Sequence, residues 1–427
     1  MDRGRRRIKH SGAAGMTTAP ADIATPGWWQ NRSILGRFVK DLVEGELQRL
    51  RPGAGDALLK DRTENLEIGP AGLGADSLEL ITLATALTEA LHLHRSGVED
   101  LLLARRQLSE WIDIAAVGLS HYAETVTFRT SGSTGQPKPC QHGLNRLLEE
   151  TEHLARILGP VRRIVSLVPS HHIYGFLFTA LLPQQLGIPI LDGRGRLPAR
   201  VAADLRSGDL LVGVPELWTS VAQSGIRFAP GVRAVTSTGP LALEVFRALE
   251  AQGLDKILEV YGSSETAGIG WRASADEPYQ LFPYWQLRAD GTEISHTGSS
   301  LAVALQDKIH LLSPGQFHVA GRLDGAVQVG GVNVFPDRVA AVLRLHPGVQ
   351  DAAVRSFGGP GALRLKAFIV PRDKAAGPVF AAELRDWAET RLSIPECPKS
   401  WTVGEALPRT PLGKAADWHP LMSPEMR

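Results

Sequence analysis

The stretch TFRTSGSTGQPKPCQHG, residues 127–143, concentrates glycines, hydroxyl side chains and a lysine in one short run. Glycine lets backbone N–H groups approach a ligand closely, hydroxyls donate hydrogen bonds, and lysine supplies a compact positive charge. Such a run is typical of a loop that holds phosphate, although it does not match the G-x-x-x-x-G-K-[ST] pattern of a P-loop. Considered alone, a Gly/Ser cluster of this kind is more often a flexible polar turn.

The composition restricts the kind of protein in which this loop lies. The chain has 427 residues, enough for two or three domains. Lysine and arginine number 46 against 45 acidic residues, so the basic surplus of a nucleic-acid-binding protein is missing. Cys140 and Cys397 form neither a metal motif nor a disulfide framework, and no apolar run is as long as a membrane span. We therefore predict a cytoplasmic protein without nucleic-acid or membrane partners.

The composition and hydrophobic pattern change along the chain, and each change predicts a different region. Residues 1–27 are basic, then small and polar, and are expected to be a disordered leader. Residues 28–118 predict a helical segment, because apolar residues recur at helical spacing between Ile34 and Leu50. A second helix is expected to begin near Asp76, which forms a capping-box pattern with Glu79.

Beyond this segment, short β-branched runs alternate with helical patterns. Residues 119–322 therefore predict a large layered α/β domain whose ligand loops follow the carboxyl ends of strands. Residues 323–427 predict a smaller α+β domain with short strands, a helix over 337–345 and another over about 380–391.

Four further stretches follow the glycine-rich loop in order. They are PSHHIYG (169–175), YGSSE (261–265), GRLD (321–324) and PRTPLGK (408–414). With the loop, these five motifs in this order resemble the adenylate-forming superfamily of acyl-CoA synthetases, peptide-synthetase adenylation domains and luciferases. The resemblance implies a large adenylate-forming domain and a small mobile lid domain. It also implies that the glycine-rich loop holds the β- and γ-phosphates of ATP.

The resemblance assigns further roles to individual residues. Tyr261 is expected along the adenine, Ser264 at the α-phosphate, Asp307 and Arg322 at the ribose, and Glu265 at Mg²⁺. The predicted ATP-binding residues are Thr130, Ser131, Gly132, Ser133, Thr134, Gly135, Lys138, Gly239, Tyr261, Gly262, Asp307 and Arg322. Thr134 is a second expected Mg²⁺ contact.

The same resemblance places catalysis on three residues, Lys414, Glu265 and Ser264, with Lys414 bridging the acid and the α-phosphate. Asp324 is expected to be the hinge of the lid domain, and Gly331 to leave room for the pantetheine arm of coenzyme A. The stretch LGADSLEL around Ser77 resembles the attachment site of acyl carrier proteins. We favour a carrier-like helical fold in which Asp76 and Ser77 cap a helix, over a phosphopantetheine-bearing Ser77.

The stretches SHHIYGFLF and YGSSETAGIGWR resemble compact 4-coumarate–CoA ligases of the photoactive yellow protein chromophore pathway. That resemblance implies an aryl-acid pocket lined by His172, Tyr174, Gly175 and Ser263. It implies ATP, Mg²⁺ and coenzyme A as cofactors and co-substrates, and 4-coumarate as the acid. Two alternatives stay open: a ligase that loads an aryl acid such as 4-hydroxybenzoate onto a carrier protein, and a non-catalytic nucleotide-binding regulator.

Overall fold

The computed structural model describes residues 27–51, 65–130, 138–196, 198–359, 363–373, 378–408 and 416–419. The predicted leader, apart from Gly27, lies outside these residues. Among the described helices, none combines the length and apolarity needed to cross a membrane.

Four helices open the described chain, and their bounds follow the apolar spacing of the sequence. The helices are α1 (Arg32–Leu50), α2 (Ser77–Leu91), α3 (Asp100–Ala104) and α4 (Leu108–His121). Short 3₁₀ turns cover Trp28–Gln30 and Leu93–Arg95. The predicted capping box is present, because the Asp76 side chain accepts from the N–H groups of Leu78 and Glu79, and Glu79 accepts from the Asp76 N–H. This reciprocal pair satisfies free N–H groups at the helix start and fixes where α2 begins.

The N-terminal helices share one hydrophobic core with the α/β layers. Phe38 of α1 packs edge-on against Phe176, whose ring also meets Phe128. Leu87 of α2 and Trp111 of α4 belong to the same buried cluster. The segment therefore differs from the carrier-like module that we expected, since a carrier domain needs a core of its own.

A hairpin follows, formed by β1 (Thr125–Thr130) and β2 (Lys138–Gly143), which pair antiparallel. Helix α5 (Leu144–Leu158) begins directly after β2. The glycine-rich residues 131–137 between the two strands lie outside the described residues.

A nine-stranded sheet forms the centre of the large domain. Its order is β13-β14-β9-β8-β7-β6-β5-β3-β4. The strands are β3 (Arg163–Ser166), β4 (Ile190–Asp192), β5 (Asp209–Gly213), β6 (Arg233–Thr236), β7 (Lys256–Ser263), β8 (Ala267–Arg272), β9 (Tyr279–Leu281), β13 (Asp307–Ser313) and β14 (Gln316–Arg322). The five strands from β4 to β7 are parallel, and β8, β9, β14 and β13 extend the sheet antiparallel.

Successive residues of the parallel strands point to opposite faces of the sheet. Ile164 of β3 and Leu210 of β5 belong to the core shared with the N-terminal helices, whereas Val165 and Leu211 belong to a second core on the other face. The helices between strands are α6 (Ile173–Phe176), α7 (Leu182–Leu186), α8 (Pro198–Ala203), α9 (Pro215–Gln223) and α10 (Leu243–Ala251). A π-helical turn, Leu177–Leu181, joins α6 to α7. This layering confirms the predicted α/β class.

A three-stranded antiparallel sheet, β10 (Trp285–Leu287), β11 (Glu293–His296) and β12 (Ala302–Ala304), lies between β9 and β13 in the chain. The small C-terminal domain then begins with a hairpin and continues with a three-stranded sheet. Its elements are β15 (Val327–Val329), β16 (Val332–Val334), α11 (Pro336–Leu343), β17 (Val349–Phe357), β18 (Arg364–Pro371), α12 (Pro378–Glu389) and β19 (Ser400–Val403). Its buried residues, among them Val334, Val339 and Ile369, form a separate core.

Candidate active site

The carboxyl ends of neighbouring parallel strands lead into one cavity of about 630 Å³. Ser237, Thr238 and Gly239 follow β6, and Tyr261 and Gly262 end β7. Parallel strands deliver their last residues to the same edge of a sheet, so these residues meet there. Twelve predicted site residues line the cavity: Lys138, Tyr174, Gly239, Tyr261, Gly262, Ser263, Ser264, Glu265, Asp307, Arg322, Asp324 and Gly331.

Two predicted pocket residues are not among the cavity's lining residues. His172 is exposed, and its ring lies 4.0 Å, centroid to centroid, from that of the neighbouring His171. Gly175 is buried, and a Cβ at this position would lie 1.8 Å from the Pro169 carbonyl oxygen. The roles of His172 and Gly175 in the acid pocket stay predictions. The absence of a side chain on Gly175 lets α6 pack against the turn at Pro169.

Seven predicted residues cannot be located in the same way. Ser131, Gly132, Ser133, Thr134, Gly135 and Lys414 lie outside the described residues, and Thr130 is described only as part of β1. The backbone of Thr130 faces that of Lys138 in the β1–β2 ladder.

A hydrogen-bonded chain begins at Tyr261. Its hydroxyl donates to Asp307 Oδ2 at 2.7 Å, and the other carboxylate oxygen of Asp307 lies 3.7 Å from Arg322 Nη1. Asp307 and Arg322 face each other in the β13–β14 ladder. Burial raises the pKa of Tyr261, and the adjacent Asp307 carboxylate raises it further, so the hydroxyl stays a donor.

Gln306, which the sequence analysis missed, extends this chain. Arg322 Nη2 donates to Gln306 Oε1 at 2.6 Å, and Gln306 Nε2 donates to Glu265 Oε1 at 3.2 Å. Arg322 also donates to both carboxylate oxygens of Asp324, which lowers the pKa of Asp324. One guanidinium thus connects the predicted hinge residue with the predicted nucleotide residues.

His142 forms a hydrogen bond to the turn that contains Ser264 and Glu265. His142 Nε2 lies 2.7 Å from the Ser264 carbonyl oxygen, so this nitrogen carries the hydrogen. Burial lowers the pKa of His142 to about 4 and keeps the ring neutral. The sequence analysis missed this residue, because a histidine four positions after Lys138 has no local pattern that indicates a partner 122 residues away.

The same turn depends on a glycine and on internal hydroxyl contacts. A Cβ on Gly262 would lie 2.0 Å from the Ala267 carbonyl oxygen, so only glycine fits the irregular pairing of β7 with β8. Ser263 Oγ accepts from the N–H groups of Glu265 and Thr266 at 3.3 Å each. These contacts hold the Glu265 backbone in place while its carboxylate lines the cavity.

One wall of the cavity is mainly apolar. Ile173, Leu177 and Phe178 come from α6 and the π-helical turn, and all three are buried. The Tyr174 hydroxyl lies 2.9 Å from the Gly213 carbonyl oxygen and 3.1 Å from that of Val235. It is therefore committed to the backbone of β5 and β6, and the Tyr174 ring serves as a wall.

Comparison with known families matches most of the chain to two models. Residues 125–335 match the AMP-binding enzyme family, and residues 338–414 match the C-terminal domain of AMP-binding enzymes. A 4-coumarate–CoA ligase of Rhodobacter capsulatus is 40% identical over 400 residues, covering 90% of this chain and 100% of the relative. A 4-coumarate–CoA ligase of Halorhodospira halophila is 37% identical over 382 residues, covering 88% of this chain and 97% of the relative.

Solved structures with low sequence identity share the fold. The o-succinylbenzoate CoA synthetase of Bacillus subtilis superposes with a TM-score of 0.59 at 18% identity, covering 92% of this chain and 97% of that one. An amide bond synthetase of Marinactinospora thermotolerans gives a TM-score of 0.58 at 16% identity, covering 90% of this chain and 93% of that one.

Proposed function

The chain belongs to the AMP-binding enzyme family, and from this premise we propose that it is an ATP-dependent 4-coumarate–CoA ligase. The observation that carries the proposal is the convergence of twelve predicted site residues on one cavity at the carboxyl edge of the parallel strands. The identity of 37–40% with two 4-coumarate–CoA ligases over nearly their whole length supports this choice of acid.

The proposed reaction has two steps. The carboxylate of the acid attacks the α-phosphorus of ATP, the bond to the β-phosphate breaks, and pyrophosphate leaves with its electron pair. The thiol of coenzyme A then attacks the acyl carbon and expels AMP. Both steps concentrate negative charge, which preorganised donors stabilise more strongly than water does.

The described residues support a division of labour in the first step. The flat ring of Tyr261 is proposed to lie along the adenine. Its hydroxyl donates to Asp307, and the carboxylate of Asp307 keeps free lone pairs that are proposed to accept from the ribose hydroxyls. The Ser264 hydroxyl and the Lys138 ammonium are the polar groups proposed for phosphate. Lys414 is proposed as the cation between the carboxylate and the α-phosphate.

Glu265 fits a magnesium site of the kind that nucleotides complete. Mg²⁺ in such sites uses one or two carboxylates together with phosphate oxygens, and within the described residues no cluster of three acidic, histidine or cysteine side chains is present. Glu265, with Thr134 as a second contact, is proposed to hold the ion, which when bound screens the phosphate charge.

The second step is proposed to follow a rotation of the small domain about Asp324. Gln328, Gly331 and Asn333 of that domain line the same cavity as the large-domain residues, so the two domains already share a site. Gly331 is the proposed passage for the pantetheine arm.

The test is pyrophosphate release with 4-coumarate, 4-hydroxybenzoate and octanoate, followed by thioester formation with coenzyme A or a carrier protein as acceptor. We expect 4-coumarate and coenzyme A to give the highest kcat/KM. Lys414→Ala is expected to abolish adenylation, because the lysine acts on charge that develops in the transition state. Preference for 4-hydroxybenzoate with a carrier protein would move the activity to the carrier-loading alternative, and absence of turnover with every acid would favour the regulator.

A further inference from the structure

One buried carboxyl group lines the cavity and has no role in the reaction described above. Glu150 lies in the middle of α5 and is 2% exposed. Both of its carboxyl oxygens accept from one donor, the Gly268 N–H, at 3.0 and 3.1 Å. A carboxyl group has about four lone-pair positions, so acceptor capacity remains free.

The surroundings of Glu150 disfavour its charged form. Burial raises the pKa of Glu150 to about 8, despite the hydrogen bonds from Gly268 and the attraction of Arg146 one turn earlier on α5. A buried acid without a bonded cation costs free energy in the folded protein, which makes a purely structural role a poor explanation.

Three other polar side chains that line the cavity, Tyr174, Ser237 and Glu259, already make hydrogen bonds within the protein. The Tyr174 hydroxyl contacts the Gly213 and Val235 carbonyls, and Ser237 Oγ donates to the Val260 carbonyl at 2.8 Å.

The carboxylate oxygens of Glu259 are occupied by hydrogen bonds within the protein. They accept from the Leu241 N–H, from Arg272 and from the Tyr279 hydroxyl. Among these groups, Glu150 is the one that can accept from a ligand and, when protonated, also donate to it, because the hydroxyls of Tyr174 and Ser237 use their single hydrogens on backbone carbonyls.

The shape beside Glu150 suits an aromatic ring. Ile173, Leu177 and Phe178 supply an apolar wall, and Gly268 supplies bare backbone. A Cβ on Gly268 would lie 2.3 Å from Glu150 Oε1 and 3.0 Å from the Phe282 ring, so the glycine is required for the carboxyl to sit where it does. A flat ring can lie against such a surface while its polar substituent reaches the carboxyl.

We propose that Glu150 determines the specificity of the acid pocket by hydrogen-bonding the para-hydroxyl group of the bound aryl acid. The inference rests on the proposed function and adds the partner for the phenol. A phenol is the substituent that fits, because it is neutral and can both donate to and accept from a protonated carboxyl. An ammonium group would ionise Glu150 and bury two charges, and a second carboxylate would add a buried charge.

The experiment compares kcat/KM for 4-coumarate and cinnamate by pyrophosphate release in the wild type, Glu150→Leu and Glu150→Gln. The wild type is expected to prefer 4-coumarate by at least about a hundredfold, because a site built to bond a hydroxyl rejects the analogue without it. In Glu150→Leu we expect this preference to fall to within about threefold of unity, with activity on cinnamate kept or raised. Glu150→Gln keeps an acceptor for the Gly268 N–H and a donor for the phenol oxygen, so it is expected to keep the preference to within about threefold of the wild type.

Glu152→Gln is the matched control, since Glu152 is an exposed acid on the same helix; its preference should equal that of the wild type. Equal losses on both substrates in the Glu150 variants would show a structural role and overturn the proposal. If Glu150→Leu does not fold, Glu150→Met decides, because its side chain has a similar length and no strong hydrogen-bonding group: a reduced preference supports the proposal and an unchanged one overturns it. Failure of the wild type to turn over 4-coumarate would instead reject the proposed function.

Discussion

Gly331 of the small domain approaches Thr238 of the large domain so closely that a Cβ on Gly331 would lie 2.8 Å from Thr238 Oγ1. Both residues have a left-handed backbone, with φ of +74° at Gly331 and +77° at Thr238. For a β-branched residue this conformation is strained by about 1–3 kcal/mol, so surrounding contacts must maintain it. The Thr238 side chain therefore fills the space at this contact between the two domains, and a side chain at position 331 would not fit.

Gly331→Ala is expected to lower the rate of thioester formation at least about tenfold, because the new methyl group forces the two domains apart where they meet. Gly330→Ala is the matched control: Gly330 also has a positive φ, but a Cβ there meets nothing within 4 Å. Thr238→Gly in the Gly331→Ala background should recover part of the rate. Equal effects of the two alanine variants in stopped-flow thioester assays would show that backbone strain, and not the contact, is responsible.

Tyr261→Phe removes the donor to Asp307 and should raise KM for ATP about three- to tenfold with little change in kcat. The reason is that this hydrogen bond is expected to stabilise bound ATP equally in the ground state and in the transition state. Tyr284→Phe is the control, since its buried hydroxyl has no hydrogen-bond partner within the described residues. Steady-state kinetics with varied ATP check the prediction. A large fall in kcat with unchanged KM would contradict it.

Asp41→Asn should destabilise the large domain by about 3 kcal/mol, because it breaks a buried ion pair. Asp41 is 1% exposed, accepts from the Ser170 N–H and hydroxyl at 2.6 Å each, and lies 2.7 Å from Arg194 Nη2. Asp113→Asn is the control: the Asp113 side chain is 64% exposed in its pair with Arg32 and should cost less than about 1 kcal/mol. Urea unfolding measures both, and similar values for the two variants would argue against α1 being part of the core.

His142 predicts a pH-dependent loss of stability on the acid side. In the unfolded chain its pKa returns to about 6.5, whereas the folded pKa is about 4, so the unfolded chain binds more protons between these values. Stability should therefore fall as pH drops from 6.5 through 4, by up to about 3 kcal/mol. Arg146 opposes protonation of the ring and Glu265 favours it.

His142→Gln should flatten this part of the stability curve, because an amide can donate to the Ser264 carbonyl but does not titrate. His121→Gln, at an exposed histidine, serves as control and should reproduce the wild-type profile. Urea unfolding at pH 4.5, 5.5 and 7 gives the comparison. A wild-type slope that persists in His142→Gln would assign the acid sensitivity to other groups.

Asp76→Ala should cost about 1 kcal/mol of stability, since the side chain accepts two N–H groups at the start of α2. Ser77→Ala should cost much less, because Ser77 is an exposed residue in the first turn. Thermal unfolding checks this order. A mass increase equal to phosphopantetheine on the wild type, absent from Ser77→Ala, would contradict the capping interpretation.

Local patterns in the sequence were sufficient for several elements and for the order of the motifs. The capping box fixed the start of α2, and apolar spacing found α1 within two residues of its observed first residue, Arg32. The runs ending near Gly213, Thr236 and Ser263 became adjacent strands, as the α/β pattern predicts.

Contacts between distant parts of the chain could not be found in this way. His142 and Glu150 are single polar residues whose partners, Ser264 and Gly268, lie more than a hundred positions away. Gln306 gains its role from the pairing of β13 with β14 and from the turn at Glu265. The motif around His172 does not give the direction of this ring, because the orientation of a side chain at the start of α6 depends on packing that spacing does not encode.

The π-helical turn at Leu177–Leu181 amounts to one residue more than a regular α-helix needs over the same length. Deleting one residue from this turn would rotate everything on its carboxyl side by about 100° relative to Ile173 and Tyr174, since an α-helix advances 3.6 residues per turn. Leu182 and Pro183 of α7, which are now buried, would have to turn away from the core, or the cavity wall would turn instead. Homologues that lack this residue should therefore differ in the shape of their acid pockets, even where every lining side chain is the same. An insertion or deletion here can thus change substrate choice without any substitution.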